Sequence, residues 1–538
     1  MRSPPRTNRL DRRFAGAALV ASSTALYLIA FLVPGGAFHL AAFLSLLPML
    51  AFSDRHGPIA SGAAGAVIGA AVLGITCKWL SAYHPAAVFV AVAIGVVWFA
   101  VAFASISAVL RTKSRFALPA AVFIWSAAEL GRSVGFLAFP YASLPYSLAD
   151  SSAALRLASL GGVPLVSLAI AGANASLYAA LRRMRGSVRG RAAGTALRGL
   201  FGAACILIVA VSGKPSASGY GMTASQTPGD SPSPGAFRVA LIQPSVYKQA
   251  GITDYAAAFQ RLSALSDAAL EKRPDLVVWH ETAIVPPIEW HVRHRPERPT
   301  YEFIYGVEAY LSSFPVPVLI GNGYALPDDV RRTIEHNSAL LFSDGAIAGR
   351  YDKVKLVPFS EYLPPRLRFP SLNRWLVSRF GAFWTPGDGP SLLRAGSANI
   401  AAPICFEDSF GRYFSSFDAP DFFVVLTNDS WARSALMQEQ HLAMSKFRAA
   451  ETGSIVLRAA DTGATVAIAP NGAVAGALPP FIRGSLFVDL PLGSSRITAY
   501  EYAGKYSDIA LLCIGLVFII LSAAFRSDTF RIDKNDGV

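Results

Sequence analysis

LVVWHETA, residues 276–283, runs an apolar stretch into a polar turn, and its reading decides the fold of the second half of the chain. A short β-branched run that ends on a carboxylate, Glu281, reads as a strand delivering a reactive side chain to its C-terminal end, where α/β folds place their sites. Two later segments have the same design. YDKVKLVPFSEYLPP (351–365) carries Lys353 and Glu361, and ANIAAPICFEDSF (398–410) ends a strand on Cys405, with Glu407 two residues on. An amphipathic stretch with helix character starts just after Cys405, and a thiol at a helix N-terminus is biased toward thiolate. Singly, each residue has an ordinary alternative: a surface or capping carboxylate, a solvated Lys353–Asp352 pair, a cysteine packed in a core.

Outward from 276–283 the alternation continues. Phe237–Gln243 (FRVALIQ), 316–320 and Phe422–Thr427 read as strands, and 254–271 and 436–451 as amphipathic helices, so 236–498 is expected to be one α/β domain. Before it, GKPSASGYGMTASQTPGDSPSPG begins at Gly213. Its Ser, Pro and Gly content buries too little apolar surface to fold alone, which makes 214–235 a linker.

The first 213 residues have a different character. The 538-residue chain is 53% hydrophobic with a mean hydropathy of +0.41, above what an ordinary soluble enzyme has. Apolar runs recur near 16–30, 38–52, 59–77, 86–110, 116–132, 157–181 and 197–212, about seven spans in all, the second and fifth being the weakest. A signal peptide would explain only the first. Arg2, Arg6, Arg9, Arg12 and Arg13, then Arg55, then Arg111, Lys113 and Arg115, then Arg182, Arg183, Arg185, Arg189 and Arg191 make every second connection basic. That alternation predicts a cytoplasmic N-terminus and places residues after about 213 on the far side of the membrane. One more apolar run, within 506–526, returns the C-terminus to the cytoplasm as a last transmembrane helix.

The net charge of +13 is therefore a topology signal. No basic stripe interleaved with aromatics points to nucleic acid. Cys77, Cys205 and Cys513 fall in or beside apolar runs, and Cys405 alone belongs to the polar part. With no CxxC and no Cys/His ligand spacing, neither a disulfide framework nor a metal site is expected, and no cofactor is implied.

Read together, WHETA, YDKVKLVPFSEYLP, PICFED, TNDSW (427–431) and FRAAETGSIVLRAADTGATVAIAPNG (447–472) resemble the nitrilase, or carbon-nitrogen hydrolase, superfamily. WSAAELGRSVGFLAFPYASLPYS (125–147) in the membrane half is similar to the signature of its membrane branch, the apolipoprotein N-acyltransferases. The resemblance implies a polytopic α-helical membrane domain plus an α/β nitrilase-type (α-β-β-α sandwich) extracytoplasmic domain. It implies Glu281 as general base, Cys405 as nucleophile and Lys353 as oxyanion stabiliser, with Glu361 and Glu407 orienting lysine and nucleophile. Membrane phospholipid would be the acyl donor and a lipoprotein N-terminus the acceptor, for a monomer in the bacterial inner membrane with its catalytic domain in the periplasm. His280 stands where the family commonly has Pro, Phe406 where it has Tyr, Ala432 and Arg433 where Phe-Gly follows the Trp, and Tyr141 where the Gly-Phe-Pro-Trp pattern has Trp. Two alternatives follow from these departures: a conjugal-transfer relative acting on another amine or an amide, and a non-catalytic membrane scaffold. Glu129 and Arg132, at the end of a span, read either as a mutual i, i+3 ion pair or as a substrate contact.

Overall fold

The structure is a computed structural model that describes residues 9–33, 38–184, 202–209, 212–229, 231–246, 251–326, 335–362, 370–371, 374–375, 384–493 and 497–526. Two compact units divide the chain, Met1–Gly213 with Ala503–Val538, and Lys214–Tyr502. Arg185, Arg189, Arg191 and the charged tail lie outside the described residues.

In the first unit, five described helices are long and apolar enough to cross a membrane: Arg13–Leu32, Pro58–Thr76, Pro85–Leu110, Ser152–Arg183 and Tyr506–Ala524. The runs at 38–52 and 116–132 form shorter apolar helices, Phe38–Ser53 and Ala117–Gly131, and residues 202–209 of the seventh run are helical. Pro58–Thr76 and Pro85–Leu110 are apolar all round, and glycines let their backbones meet. A Cβ on Gly69 would strike the Gly95 carbonyl, and one on Gly65 the Phe99 carbonyl. Where lipid is as apolar as any side chain, close backbone packing of this kind is what holds helices together. Polar side chains pin the rest. Asp54 accepts from Lys113 Nζ at 2.8 Å and from Tyr178 Oη at 2.7 Å. Glu129 and Arg132 both fasten the 139–144 loop: Glu129 Oε1 accepts from Leu144 N at 2.8 Å and Oε2 from Ser167 Oγ, while Arg132 Nη2 donates to the Tyr141 carbonyl. Both are buried.

The second unit carries strands β1 (Thr223–Ser225), β2 (Phe237–Gln243), β3 (Leu276–Val278), β4 (Val318–Ala325), β5 (Glu335–Ser343), β6 (Ala346–Asp352), β7 (Leu392–Ala395), β8 (Ala398–Ala401), β9 (Phe422–Thr427), β10 (Ile455–Ala460), β11 (Thr465–Ile468), β12 (Val474–Leu478) and β13 (Gly484–Leu490). Among the described residues these form two sheets, β1-β13-β2-β3-β4-β5-β6 and β12-β11-β10-β9-β8-β7. Each has a parallel centre, β2-β3-β4 in one and β8-β9-β10 in the other. Strands β2, β9 and β10 are buried at every residue, which is why they read as predominantly apolar runs, with Arg238 and Arg458 as buried charged exceptions. Helices Ile252–Leu270 and Arg298–Ser313 cover the outside of the first sheet through Leu262, Ile304 and Val307. Helix Ala435–Thr452 packs on the second, capped by Ser434 and stopped at left-handed Gly453. Between the sheets the Phe237 and Phe422 rings stand 6.0 Å apart. This is the nitrilase-type α/β layering. Thr223–Ser225, inside the Ser/Pro/Gly-rich stretch, pairs antiparallel with β13.

Arg238 on β2 is 1% exposed and meets Asp489 on β13 twice, Nε to Oδ1 at 2.6 Å and Nη2 to Oδ2 at 2.9 Å. Its remaining donors reach the Gly229, Ser231 and Lys272 carbonyls. Burial pushes the Asp489 carboxyl up, but the bonds from Arg238 and Ser233 outweigh it and hold it below the usual range. This contribution to stability is present above the unfolded carboxylate pKa of about 3.9 and is lost as pH falls through the lower folded value. Breaking such a buried pair costs about 3–5 kcal/mol. Arg238→Met is therefore expected to lower the thermal midpoint of the full chain in detergent by several degrees, and an unshifted midpoint refutes the assignment.

Candidate active site

Parallel strands of both sheets end at one place. β3 stops at Val278 and the chain reaches Glu281 three residues later, with Thr282 at φ +50°. β8 leads into Pro403 and Ile404, which bridges to Leu426 of β9, and so Cys405 stands beside Thr427, with Asp429 within 4.8 Å. β6 ends at Asp352, one residue before Lys353, whose backbone N–H donates to Asn337 O of β5 at 2.8 Å. Cys405 is itself left-handed, φ +49°, a conformation that costs a non-glycine residue about 1–3 kcal/mol and persists only where the surroundings over-determine it.

Two of the three segments bring Glu281, Lys353 and Glu361 together. Lys353 Nζ, fully buried, donates to Glu281 Oε1 at 3.0 Å and to Glu361 Oε1 at 2.8 Å. Glu281 Oε1 also accepts from Asn337 Nδ2 at 2.7 Å, and its Oε2 from the Asn428 backbone N at 3.0 Å. Glu361 Oε2 accepts from Val357 N at 2.9 Å, which fixes it in its own loop. Glu407 does not touch the lysine. Its Oε1 takes the N–H groups of Val354 and Lys355 at 2.7 and 3.0 Å, and its Oε2 that of Ile404 at 2.7 Å and the Tyr351 hydroxyl at 2.6 Å. A single carboxylate thus ties the backbone after Lys353 to the backbone before Cys405.

Electrostatics follow from burial. Loss of water alone would lower the Lys353 ammonium, but the Glu281 and Glu361 carboxylates draw it well above its ordinary value, so it stays charged. For Cys405, burial pushes the thiol well up, the Glu281 carboxylate adds to this, and Lys353 only partly offsets them. Thiolate bias from a following helix does not arise. Cys405–Ser409 is a single 3-10 turn followed by the four-residue helix Gly411–Phe414, too short for a dipole that could overcome burial. Burial also raises Glu407, against the pull of Tyr351 and the three backbone N–H groups.

Several residues at this centre carry no role in the sequence reading. Asn428 follows the apolar β9 and could have been flagged by the strand-end rule that found Glu281, whereas Asn337 lies in the polar first half of β5, EHNS, where that rule does not reach. Nor does it reach the buried group behind the thiol. Asp408, Asp429, His441 and Arg458 are each 1% exposed or less, and Cys405 Sγ, an Asp429 oxygen and a His441 ring nitrogen lie within 4.8 Å of one another. These are metal-type donors, yet Arg458 already meets Asp408 Oδ2 at 2.7 Å and Asp429 Oδ2 at 2.8 Å, which offsets one of the two carboxylate charges without an ion.

Two sheets with parallel centres and a Glu, Lys and Cys gathered at their strand ends define a carbon-nitrogen hydrolase domain, and the carbon-nitrogen hydrolase family model matches residues 238–500. The model for the apolipoprotein N-acyltransferase N-terminal domain matches residues 23–176. The chain belongs to the apolipoprotein N-acyltransferase family. It is 32% identical over 464 residues to apolipoprotein N-acyltransferase 1 of Treponema pallidum, covering 83% of this chain and 84% of that protein. With the protein of the same name from Treponema denticola it shares 29% over 509 residues, 89% and 91% of the two chains. A carbon-nitrogen hydrolase structure from Helicobacter pylori G27 aligns at TM-score 0.35 and 15% identity, over 51% of this chain and 94% of that one. These matches lend the conjugal-transfer alternative no support.

Two outcomes are expected. Iodoacetamide should alkylate the Cys405 peptide of the full chain slowly near neutral pH, with a rate that rises to a midpoint above the free-thiol value of about 8.5. A midpoint below that of free cysteine would contradict the raised thiol. Gly321 on β4 packs against the turn, where a Cβ would strike His280 O, Thr282 N and Glu281 Cα. Since all three are backbone atoms, Gly321→Ala should displace Glu281 and cut kcat by about a hundredfold, in an enzyme that still folds by circular dichroism.

Proposed function

We propose that this N-acyltransferase moves an acyl chain from a membrane phospholipid, through a thioester on Cys405, to the α-amine of the diacylglyceryl-cysteine that begins a lipoprotein. The observation that carries the reading is the buried Lys353 ammonium held between Glu281 and Glu361, close enough to the Cys405 thiol for the Glu281 and Lys353 charges both to act on it. Glu281 takes the thiol proton as sulfur attacks the ester carbonyl. The tetrahedral oxyanion is met by the Lys353 ammonium, a preorganised charge in a low-dielectric site. On collapse the C–O bond breaks, Glu281 returns the proton to the leaving oxygen, and the lysophospholipid departs. The acceptor amine then attacks the thioester, Glu281 receives its proton, and the amide forms as the Cys405 thiol is regenerated. Glu361 orients Lys353, and Glu407 sets the spacing between the lysine and cysteine segments.

A raised thiol and a paired carboxylate suit this division of labour. The thiol waits protonated, and proton and acyl carbon move in one encounter, the activation a weak nucleophile obtains from an adjacent base. For topology we propose a multi-pass protein of the bacterial inner membrane, monomeric, with residues 214–502 in the periplasm and both termini in the cytoplasm. The alternating basic connections support that orientation, and five long apolar helices support the multi-pass reading.

Phospholipid labelled in its acyl chain should leave hydroxylamine-sensitive label on the wild-type chain when no acceptor is present, and none on Cys405→Ala. Lys353→Met should slow labelling by about a hundredfold to a thousandfold, the usual effect of removing one oxyanion donor. Failure of wild type to accumulate the thioester without acceptor would sink the lipid-donor reading.

A further inference from the structure

Behind Cys405 lies a set of buried charges that the proposed chemistry leaves without a task. His441, on helix Ala435–Thr452, turns its ring between two carboxylates: Nε2 lies 2.8 Å from Asp408 Oδ1, and Nδ1 lies 3.2 Å from Asp429 Oδ1. Nε2 also lies 3.3 Å from the carbonyl oxygen of Cys405. Both neighbours of Nε2 are acceptors, so Nε2 carries a hydrogen and donates. Nδ1 faces an acceptor, Asp429, and a donor, Arg458 Nη2 at 2.6 Å. It can serve either as acceptor in the neutral ring or as donor in the imidazolium. Arg458 spans the two aspartates from the other side, with Ser445 Oγ on Asp408 Oδ2 at 2.5 Å and Thr427 Oγ1 on Asp429 Oδ1 at 3.1 Å.

The charges decide between those two states. Asp408 and Asp429 carry two negative charges and Arg458 one positive. With a neutral ring the group holds a net negative charge directly behind the thiol, whereas with an imidazolium it holds none. Burial and the Arg458 charge both lower His441, but Asp408 and Asp429 outweigh them and lift it to about 9. The Asp429 charge in turn raises the Cys405 thiol, so an unbalanced carboxylate here opposes the ionisation that the reaction requires. Other ionisable groups face the cluster as well. Of the elements packed on this helix, the Cys405–Ser409 turn adds Glu407, which is engaged by Tyr351 and three backbone N–H groups, β11 carries none, and the short helix Gly411–Phe414 brings Arg412 and Tyr413, whose hydroxyl is engaged by Tyr351 at 2.6 Å. Asp461, the residue after β10, is raised by burial, drawn down by His280 and close enough to Asp429 to be raised by it.

We propose that His441 is a positioning residue of the acyl transfer: its imidazolium neutralises the Asp408, Asp429 and Arg458 group beneath the nucleophile, and its Nε2–H holds the carbonyl of Cys405 in the left-handed turn. The proposal rests on Cys405 being the nucleophile. It gives the buried aspartates a function as well. They hold the ring charged, and the charged ring keeps their field off the thiol. Packing alone would not require the four charges to balance.

Charge changes behind the thiol should be read in its reactivity at pH 7, where the wild-type ring is charged. His441→Gln leaves one net negative charge, and the rate of Cys405 alkylation at pH 7 should fall by about tenfold. Its kcat should fall at least about tenfold while the phospholipid KM stays within about threefold, the split expected when transition-state stabilisation is lost and binding is not. The double variant His441→Gln with Asp408→Asn restores neutrality and should bring the alkylation rate back near wild type. The proposal is overturned if His441→Gln leaves that rate unchanged and only the melting temperature drops, or if the double variant stays as slow as His441→Gln. Should His441→Gln fail to fold, Arg458→Gln decides alone, since it leaves the same single negative charge with the ring still between both carboxylates: alkylation slowed by about tenfold supports the proposal, an unchanged rate overturns it. Alkylation needs no lipid, so the charge effect can be read even if Cys405→Ala retains acyl transfer, a result that would refute the nucleophile assignment by itself.

Discussion

The ammonium of Lys353 is held out of water between two carboxylates, and the geometry of the centre depends on that arrangement. One positive charge between Glu281 and Glu361 leaves the pocket with a single net negative charge while the thiol is protonated. Ionising Cys405 to solvent would double that charge in a site of low dielectric, which is why burial and Glu281 together push the thiol upward. Moving the proton from sulfur to Glu281 avoids the difficulty, because the net charge of the pocket does not change. In the proposed reaction the same lysine that stabilises the resting carboxylates is then free to meet the oxyanion as Glu281 becomes neutral. A site built this way favours attack on a carbonyl over release of a free thiolate.

Holding that lysine in place is a task for the fold. Lys353 follows an antiparallel edge strand of one sheet, and Cys405 follows a parallel strand of the other, so no single ladder sets their separation. Glu407 does, by taking N–H groups from both segments. Its burial is costly, and four donors offset the cost. Thr282 and Cys405 both sit in left-handed backbone beside these contacts, a strain that marks where the chain leaves regular structure to aim a side chain. Gly321 supplies the complementary feature, a surface without a Cβ against which the Glu281 turn can lie.

What was legible in the sequence follows from how local each signal is. Strands such as 422–427 and helices such as 436–451 are written in consecutive residues, and the ends of those strands located Glu281 and Cys405. The sequence overstates the helix after Cys405, because an amphipathic pattern does not reveal that the chain turns at Phe410 after one 3-10 turn. Asp408, Asp429, His441 and Arg458 were invisible as a group. They come from a turn, a strand end, a helix and a neighbouring strand, and only the parallel register of β8, β9 and β10 brings them together. Glu129 and Arg132 fall between these cases. Their spacing suggested a pair, and both are instead spent on a loop whose backbone groups would otherwise be buried without partners.

His280 shows why a departure from the family pattern can sit beside Glu281 without touching its carboxylate. Its ring is fully buried, and Nδ1 donates to the carbonyl oxygen of Glu281 at 2.8 Å, while Nε2 faces Asp461 Oδ1 at 4.0 Å. The contact is with the backbone of Glu281. The carboxylate keeps its own partners, Lys353, Asn337 and the N–H of Asn428, none of which involves residue 280. A proline at this position would remove a donor that the Glu281 carbonyl now uses, and would leave the three bonds to the carboxylate as they are. The two layers are separable: one fixes where the turn runs, the other fixes the charge that the turn presents. Substitution in the first layer can therefore drift while the acid, the lysine and the thiol stay in register.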